Sequence, residues 1–433
     1  MDKKNTFKLI IKEFHESKLP EIKERDLGLP QKTNKIITLS GPRRAGKTYY
    51  FYQIIKKLKE KIDFSRIIYV DFEDDRLFPL AIKDLDDLME AYFELYPENK
   101  AKEIYYFFDE IQNIDNWEIF IRRIYDKEKA KIFLTGSSSK LLSREIATSL
   151  RGRTLNYQIF PLSFKEFLNF KGVKPDKNSA YSKIRFQIKK LFQEYAIFGG
   201  FPEVVLESDD LKMAVLKNYY DLIIYRDLVE RFAVRNVNFL KSLSKYLLTN
   251  VSAPFSINGY HQNLEKPLRP AKETVLEYLS YLQEIELVFL LPIFSYSLKT
   301  QQVNPKKNYV VDNGLRNAVC FRFSEDFGRL LENLVFVELK RRNKEIYYYK
   351  QKRECDFVVM NNLKASQAIQ VTQELNKNNK EREVGGLIEV MRKYQIERGL
   401  VLVQDLKEET KEKINNKEIK FVSLWKWLLE EER

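Results

Sequence analysis

At 433 residues the chain exceeds one ordinary hydrophobic core, and the usual size of roughly 100 to 200 residues per domain calls for about two to four. Hydrophobic residues at 44% and charged residues at 32% give a soluble globular composition, while a net charge of +13 suits a polyanionic partner and a lysine-rich background equally well. Two cysteines, Cys320 and Cys355, exclude a disulfide framework, and two histidines, His15 and His261, without a Cys-x-x-Cys pair exclude zinc sites of the usual spacings.

In chain order, residues 7–14 predict a short amphipathic helix, and Pro20 and the Gly28-Leu29-Pro30 turn lead to a first strand over 35–40. A glycine-rich turn follows, then a helix on Ile54, Ile55, Leu58 and Ile62 that ends near Asp63. Short apolar runs at 66–71, 104–109 and 131–135, separated by helical patterns, predict buried parallel strands of a three-layer α/β sheet, with a last strand at 155–160. Beyond Pro161 the alternation stops and helical patterns dominate, with a break at Gly199-Gly200-Phe201-Pro202 that marks a lid boundary. Helical patterns over 210–285, a turn-rich stretch from Ser252 to Gly259, a helix over 271–283 and a strand over 287–291 follow the order of a winged helix. A helix over 330–341 and strands at 345–349, 355–360, 367–371 and 399–403 predict a separate small α/β domain.

The segment Gly41-Pro42-Arg43-Arg44-Ala45-Gly46-Lys47-Thr48 fits G-x-x-x-x-G-K-[ST], followed by Tyr49, and stands between a strand and an amphipathic helix as a phosphate cradle requires. Its backbone N–H groups and the helix dipole favour a β-phosphate, Lys47 is placed for the β- and γ-phosphates, and Thr48 for magnesium. ATP and Mg2+ are therefore the expected substrate and metal. Asp109, after the apolar run Tyr105 to Phe108, is the second magnesium position, and Glu110 the candidate base for an attacking water. Ser137, after the fourth strand, is a candidate γ-phosphate sensor. Of Arg144, Arg151 and Arg153, one is a candidate finger, in cis or from a neighbouring subunit of a homo-oligomer; Arg151 and Arg153 are the catalytic candidates carried forward.

These residues, with Asp109-Glu110-Ile111-Gln112 and Trp117, Leu134 to Ser139, Gly199 to Glu203, Tyr225-Arg226-Asp227 and Tyr309 to Leu315, carry a family likeness. The chain resembles the prokaryotic ATPases of the AAA superfamily, common in archaea, that bear a C-terminal domain of unknown function. The resemblance implies a P-loop NTPase core at residues 1–165, a helical lid at 166–215, a winged-helix region at 216–320, and at 321–433 a domain similar to PD-(D/E)xK nucleases. The fold class expected is thus α/β, a three-layer P-loop sandwich with lid, winged helix and a small nuclease-like α/β domain. A nuclease of that type needs a helix glutamate, a strand acid and Glu-x-Lys on the next strand. Glu332 and Asp356 fit the first two places, with Glu354 nearby, but the third reads Gln370-Val371-Thr372, which predicts an inactive, degenerate site.

Arg269, Lys272, Lys299, Lys306 and Lys307 offer a phosphate-contacting face to DNA, whereas Glu273, Glu277 and Glu284 oppose it. The expected activity is ATP hydrolysis coupled to nucleic-acid binding or remodelling, the alternative being an ATP-dependent protein-interaction or defence switch without DNA contact. Met1-Asp2-Lys3-Lys4 opens a mixed charged stretch, and no window reaches about 18 uncharged apolar residues, so a cytoplasmic chain without a membrane partner is expected.

Overall fold

A computed structural model describes residues 2–26, 28–30, 33–136, 150, 152–176, 182–265, 269–320 and 327–430. The chain divides into two compact units, Met1–Ile159 and Phe160–Arg433.

The first unit holds α1 (Lys3–Glu16), β1 (Ile36–Ser40), α2 (Lys47–Lys59), β2 (Ile67–Asp71), α3 (Asp84–Leu95), β3 (Ile104–Asp109), α4 (Trp117–Lys127), β4 (Ala130–Thr135) and β5 (Thr154–Gln158). Its five strands pair in parallel in the order β2-β3-β4-β1-β5. Parallel strands are buried on both faces, and alternate residues show it. Tyr106 and Phe108 join Leu88, Phe120 and Ile124 on one side, while Phe107 joins Phe51, Ile55 and Leu39 on the other. The strands fall within two residues of their sequence-predicted limits, and for β1, β2 and β3 the reason is that a β-branched or aromatic run of this length has few other uses. The edge strand β2 is covered by α1, whose His15 sets Nε2 2.8 Å from the Ile67 carbonyl and Nδ1 2.7 Å from the Tyr96 hydroxyl. Burial lowers the pKa of that imidazole.

The second unit opens with helices Phe164–Phe170, Ile184–Phe198, Pro202–Leu206 and Asp209–Leu222, the last running on as a π-helix over Ile223–Glu230 that contains Tyr225-Arg226-Asp227. Helix Val237–Thr249, β6 (Ala253–Phe255), helices Ile257–Gln262 and Lys272–Glu284, β7 (Val288–Leu291), helix Leu298–Val303 and β8 (Lys306–Val310) follow, and β6-β8-β7 form an antiparallel sheet. After helices Asn313–Val319 and Phe327–Arg341 comes a six-stranded mixed sheet of β9 (Glu345–Lys350), β10 (Glu354–Asn361), β11 (Lys364–Thr372), β12 (Arg398–Val403), β13 (Thr410–Ile414) and β14 (Lys417–Ser423). Its order is β13-β14-β12-β11-β10-β9, and helix Lys380–Lys393 connects β11 to the parallel β12. One buried apolar cluster runs from Phe160 to Leu428, so the lid, winged-helix and C-terminal segments read from sequence share a core.

The chain does not end its strands at Val403 as its apolar runs suggest. β13 and β14 form a hairpin turned by Asn415 and Asn416, both at positive φ (51° and 63°), the geometry of a primed turn. Its outer strand, Thr-Lys-Glu-Lys-Ile, is an exposed charged edge and so lacks the hydrophobic signal of a buried strand. β6 hides for a related reason, since three residues beginning Ala-Pro inside a turn-rich stretch make no periodic pattern.

The Gly199-Gly200 break and the Asp312-Asn313-Gly314 motif meet. A Cβ on Gly199 would lie 2.0 Å from Asp312 Oδ1, and one on Gly314 would lie 1.9 Å from the Phe198 carbonyl oxygen. Asp312 accepts from Gly200 N–H at 2.7 Å and caps its own helix by accepting from Leu315 N–H at 3.0 Å. Asn313 and Asn317 donate to the Ala196 and Ile197 carbonyls, at 3.2 and 2.8 Å, satisfying the C-terminus of helix Ile184–Phe198. Two glycine-bearing motifs far apart in sequence are thus one helix-end junction.

Candidate nucleotide-binding site

The glycine-rich turn joins the C-terminal end of β1 to α2. Gly41 has φ 149°, and a Cβ there would meet the Ile159 carbonyl oxygen at 2.2 Å; Gly46 has φ 94° and forms the N-cap of α2. Between them Arg44 also takes a positive φ of 66°. The result is a tight loop leading into a helix N-terminus, a setting that favours an anion. Lys47, buried, donates through Nζ to the Gly41 carbonyl at 3.1 Å and the Pro42 carbonyl at 3.3 Å, and stands 3.8 Å from Glu110 Oε1. Arg25, from the segment before β1, donates to the Ala45 carbonyl at 2.7 Å and braces the loop from behind.

β3 delivers Asp109 to the same end of the sheet. Its carboxyl is buried and hydrogen-bonded to the hydroxyls of Thr48, Thr135 and Tyr69, the last at 3.1 Å. Burial raises its pKa, the neighbouring Glu110 adds to the rise, and Thr135, Thr48 and Lys47 oppose it. Glu110 sits at φ 50° and ψ 45°, in the left-handed region where an ordinary side chain is strained, and its N–H donates to Thr135 Oγ1 at 3.0 Å. Thr135 therefore ties both acids by one hydroxyl. Gln112 Nε2 donates to Glu110 Oε2 and fixes the carboxylate.

Lys47, Thr48, Asp109 and Glu110 are thus brought together. Arg43 pairs with Glu73 at 3.4 Å, and Tyr49, largely exposed, packs edge-on against Tyr52. Ser137, Arg144 and Arg151 lie outside the described residues. Arg153 is at the opposite end of the sheet. It precedes β5, whose five residues at about 3.3 Å each put it roughly 16 Å from the loop, and its guanidinium holds Asp126 with two contacts of 3.0 and 3.1 Å.

Other groups at the site carry no motif. Asp71 ends β2 in register with Asp109, and burial pushes it up to about 6, with Asp109, Glu73 and Glu110 adding to the effect against the Glu73 N–H. Tyr69 donates to Asp109 and accepts from Tyr52 at 3.4 Å. The legible signal is that two neighbouring runs, Ile-Ile-Tyr-Val-Asp71 and Tyr-Tyr-Phe-Phe-Asp109, both end in aspartate, so parallel pairing sets the two acids side by side.

A second cluster of acids lies in the other unit. Lys307 on β8 projects into carboxylates from helix Phe327–Arg341 and β10, reaching Glu332 at 2.9 Å, Glu354 at 2.7 Å and Asp356 at 3.0 Å. Tyr309 donates to Glu332 at 2.5 Å. Burial and the nearby Asp356 raise the pKa of Glu332, whereas Glu354, also paired with Lys350, is lowered by the lysines despite its burial. Gln370 donates to Glu383 at 3.1 Å. Among the described residues no group of three or more His, Cys, Asp or Glu side chains is arranged to hold a metal ion, and no helix is long and apolar enough to cross a membrane.

Comparison with known proteins agrees with the loop. Residues 33–168 match the AAA domain family, and residues 189–326 and 327–427 match two domains of unknown function, DUF8612 and DUF4143. The chain is 32% identical over 329 residues to an uncharacterized protein of Haemophilus influenzae, covering 75% of this chain and 80% of that one. Among solved structures, the Aeropyrum pernix ORC1 protein in complex with DNA aligns over 73% of this chain and 91% of its own at 11% identity and a TM-score of 0.31. Cdc6p of Pyrobaculum aerophilum aligns over 69% and 87% at 12% identity and a TM-score of 0.27. Likeness that faint carries no weight. The uncharacterized protein MJ1544 of Methanocaldococcus jannaschii, by contrast, is 40% identical over 442 residues, spanning 99% of this chain and 96% of the relative. With a P-loop, a buried aspartate and an AAA domain on one parallel sheet, the chain is an AAA-type P-loop protein and belongs to the family of MJ1544.

Proposed function

We propose that the protein is a magnesium-dependent ATPase that couples hydrolysis to binding or remodelling nucleic acid. The observation that carries the catalytic half is the meeting of Lys47, Thr48, Asp109 and Glu110 at the mouth of the Gly41–Gly46 loop. Magnesium fits this donor set, because it takes one or two carboxylates together with phosphate oxygens and waters rather than an all-protein cage. The Thr48 hydroxyl and the Asp109 carboxylate would hold it, and when bound it neutralises charge on the β- and γ-phosphates. The loop amides bind the β-phosphate, and Lys47 exchanges two backbone carbonyls for phosphate oxygens. Glu110, fixed by Gln112 and by the Thr135 hydroxyl, orients a water and takes its proton.

The nucleic-acid half rests on the charge of +13 and on the element order over 237–310, in which helix, strand, two helices, strand, short helix and strand around the β6-β8-β7 sheet support a winged-helix reading. Cleavage is not part of the proposal. Lys307 holds three carboxylates of the nuclease-like cluster, and Gln370 replaces a fourth. One observation favours the alternative of an ATP-dependent protein-interaction switch: helix Lys272–Glu284 turns Glu273, Leu276 and Glu277 to solvent, a face that suits protein better than phosphate. The test is the steady-state ATPase rate with and without duplex or single-stranded DNA at two salt concentrations. DNA stimulation that fades with salt supports coupling. A rate indifferent to DNA at both supports the protein switch, and no turnover under any condition removes the ATPase reading.

A further inference from the structure

The nucleic-acid reading does not say which surface meets the polyanion, and two of the five basic residues read from sequence in the winged-helix region are already engaged. Lys307 is consumed by carboxylates, and Arg269 folds back on the carbonyls of Gln262 and Leu264. The C-terminal sheet offers another surface. A cleft of about 1020 Å³ lies between the β9–β10 turn, helix Lys380–Lys393 and the tip of the β13–β14 hairpin. Lys352, Arg353, Lys377, Lys380, Arg392 and Lys393 line it, against Glu381 and Glu389.

Six cations to two anions departs from the chain as a whole, where Lys and Arg number 75 against 62 for Asp and Glu. The two carboxylates are moreover committed. Glu389 accepts from the Tyr349 hydroxyl at 2.9 Å and the Arg353 N–H at 3.2 Å, and Glu381 faces the Arg353 guanidinium at 3.4 Å. Lys380 is neutralised from outside the cleft by Glu412 at 2.8 Å. Lys352, Lys377, Arg392 and Lys393 are exposed and have no carboxylate partner among the described residues. Four like charges lining one cleft repel one another, a cost that a polyanion relieves.

The backbone prepares the cleft. A Cβ on Gly385 would lie 1.7 Å from Arg353 Nη1, so glycine there leaves room for the guanidinium against the helix, where it donates to the Glu381 carbonyl at 3.1 Å. Gly386 beside it would put a Cβ 1.8 Å from the Glu354 carbonyl oxygen, so the same pair of glycines draws the helix onto β10. The lining aromatic ring, Tyr349, is buried and hydrogen-bonded, which leaves no ring for bases to stack on. Contact is thus to phosphates and not to bases.

We infer that this cleft is a sequence-independent seat for the phosphate backbone of duplex nucleic acid, the grip that the proposed ATPase drives. It rests on the nucleic-acid half of the proposed function and gives it an address. The experiment measures binding of the full chain to a short labelled duplex of mixed sequence by fluorescence anisotropy between about 50 and 200 mM salt. Wild type is compared with Lys352→Gln/Lys377→Gln/Arg392→Gln/Lys393→Gln, with thermal unfolding and ATP affinity as controls of integrity. Each lost phosphate contact removes about 0.9 from the slope of log affinity against log salt, so the slope should shrink by about 3 to 4 and affinity fall at least about tenfold. Duplex binding by wild type that the quadruple variant retains in full overturns the cleft and leaves the coupling reading intact. Absence of duplex binding by wild type overturns the coupling reading itself. Tighter binding of single strands or of polyglutamate through the same residues also overturns the assignment, because the partner would then be of another class.

Discussion

Each unit buries a lysine beside carboxylates, and the two pairs are built to opposite ends. Lys47 leans on two backbone carbonyls and keeps 3.8 Å from Glu110, so its charge is only partly answered. Lys307 lies within 3.0 Å of three carboxylates, and its own charge is answered more than once. An ammonium that trades weak carbonyl contacts for phosphate oxygens gains on binding, whereas one already ringed by acids has nothing to gain. The first geometry makes a ligand site. The second makes a self-neutralised ion cluster that joins β8, helix Phe327–Arg341 and β10.

The sharpest way to break that contrast is to remove each lysine. Lys47→Ala should lower ATP affinity by about 100-fold or more, since charge-assisted contacts are worth about 1.5–3 kcal/mol each and two phosphates lose theirs. Glu110→Gln should retain affinity and cut turnover by about 100-fold or more. Equilibrium binding of a fluorescent ATP analogue and steady-state hydrolysis read the two separately, and wild-type turnover in the Glu110 variant would remove it as the base. Lys307→Met should instead leave unpaired buried carboxylates and destabilise the second unit by about 3–5 kcal/mol in urea unfolding. Adding Glu332→Gln and Asp356→Asn should restore most of it. A Lys307→Met protein as stable as wild type would show that the carboxylates do not depend on Lys307.

The contrast is half visible in the residues themselves. G-x-x-x-x-G-K-T names its own chemistry because the backbone that cradles a phosphate has to be glycine at Gly41 and Gly46, and the apolar strand runs before Ser40 and Asp109 fix where it sits. Asp71 is legible only by comparing the ends of two strand runs, and Thr135 carries no such signal, because their roles come from parallel register, which no local spacing records. Lys307, by its neighbours in sequence, reads as a phosphate contact on a surface. It is buried because β8 pairs centrally between β6 and β7 and turns it toward β10, a long-range fact invisible in the sequence around it. The Gly199 and Asp312 motifs are recognisable as motifs, but their meeting is not.

That junction sharpens the comparison from the side of pH. Burial pushes Asp312 up to about 6, above the usual 3.8 of an aspartate carboxyl. The folded state therefore holds the proton more tightly than the unfolded chain, so the contribution is fully present below about pH 4 and is lost as pH rises through about 6. Asp312→Asn does not titrate. Relative to it, wild type should lose up to about 3 kcal/mol between pH 4 and pH 7 in denaturant unfolding of the second unit, because each tenfold difference in proton affinity is worth about 1.4 kcal/mol. A stability difference constant across that range would show that the Gly200 and Leu315 N–H groups hold the carboxylate charged.

The smallest effect concerns Arg153. An arginine finger has to reach a γ-phosphate, and in this chain Arg153 is separated from the loop by the length of β5 and held by Asp126. Service to a neighbouring subunit would require breaking that two-point contact, which is partly exposed and worth at most about 1 kcal/mol. Arg153→Ala should therefore change turnover by no more than about twofold and stability by no more than about 1 kcal/mol. A fall in turnover of about 1000-fold, the scale on which true fingers act, would mean that the Asp126 contact opens during the cycle. The catalytic arginine would then sit at the start of β5, and its phosphate would belong to another copy of the chain.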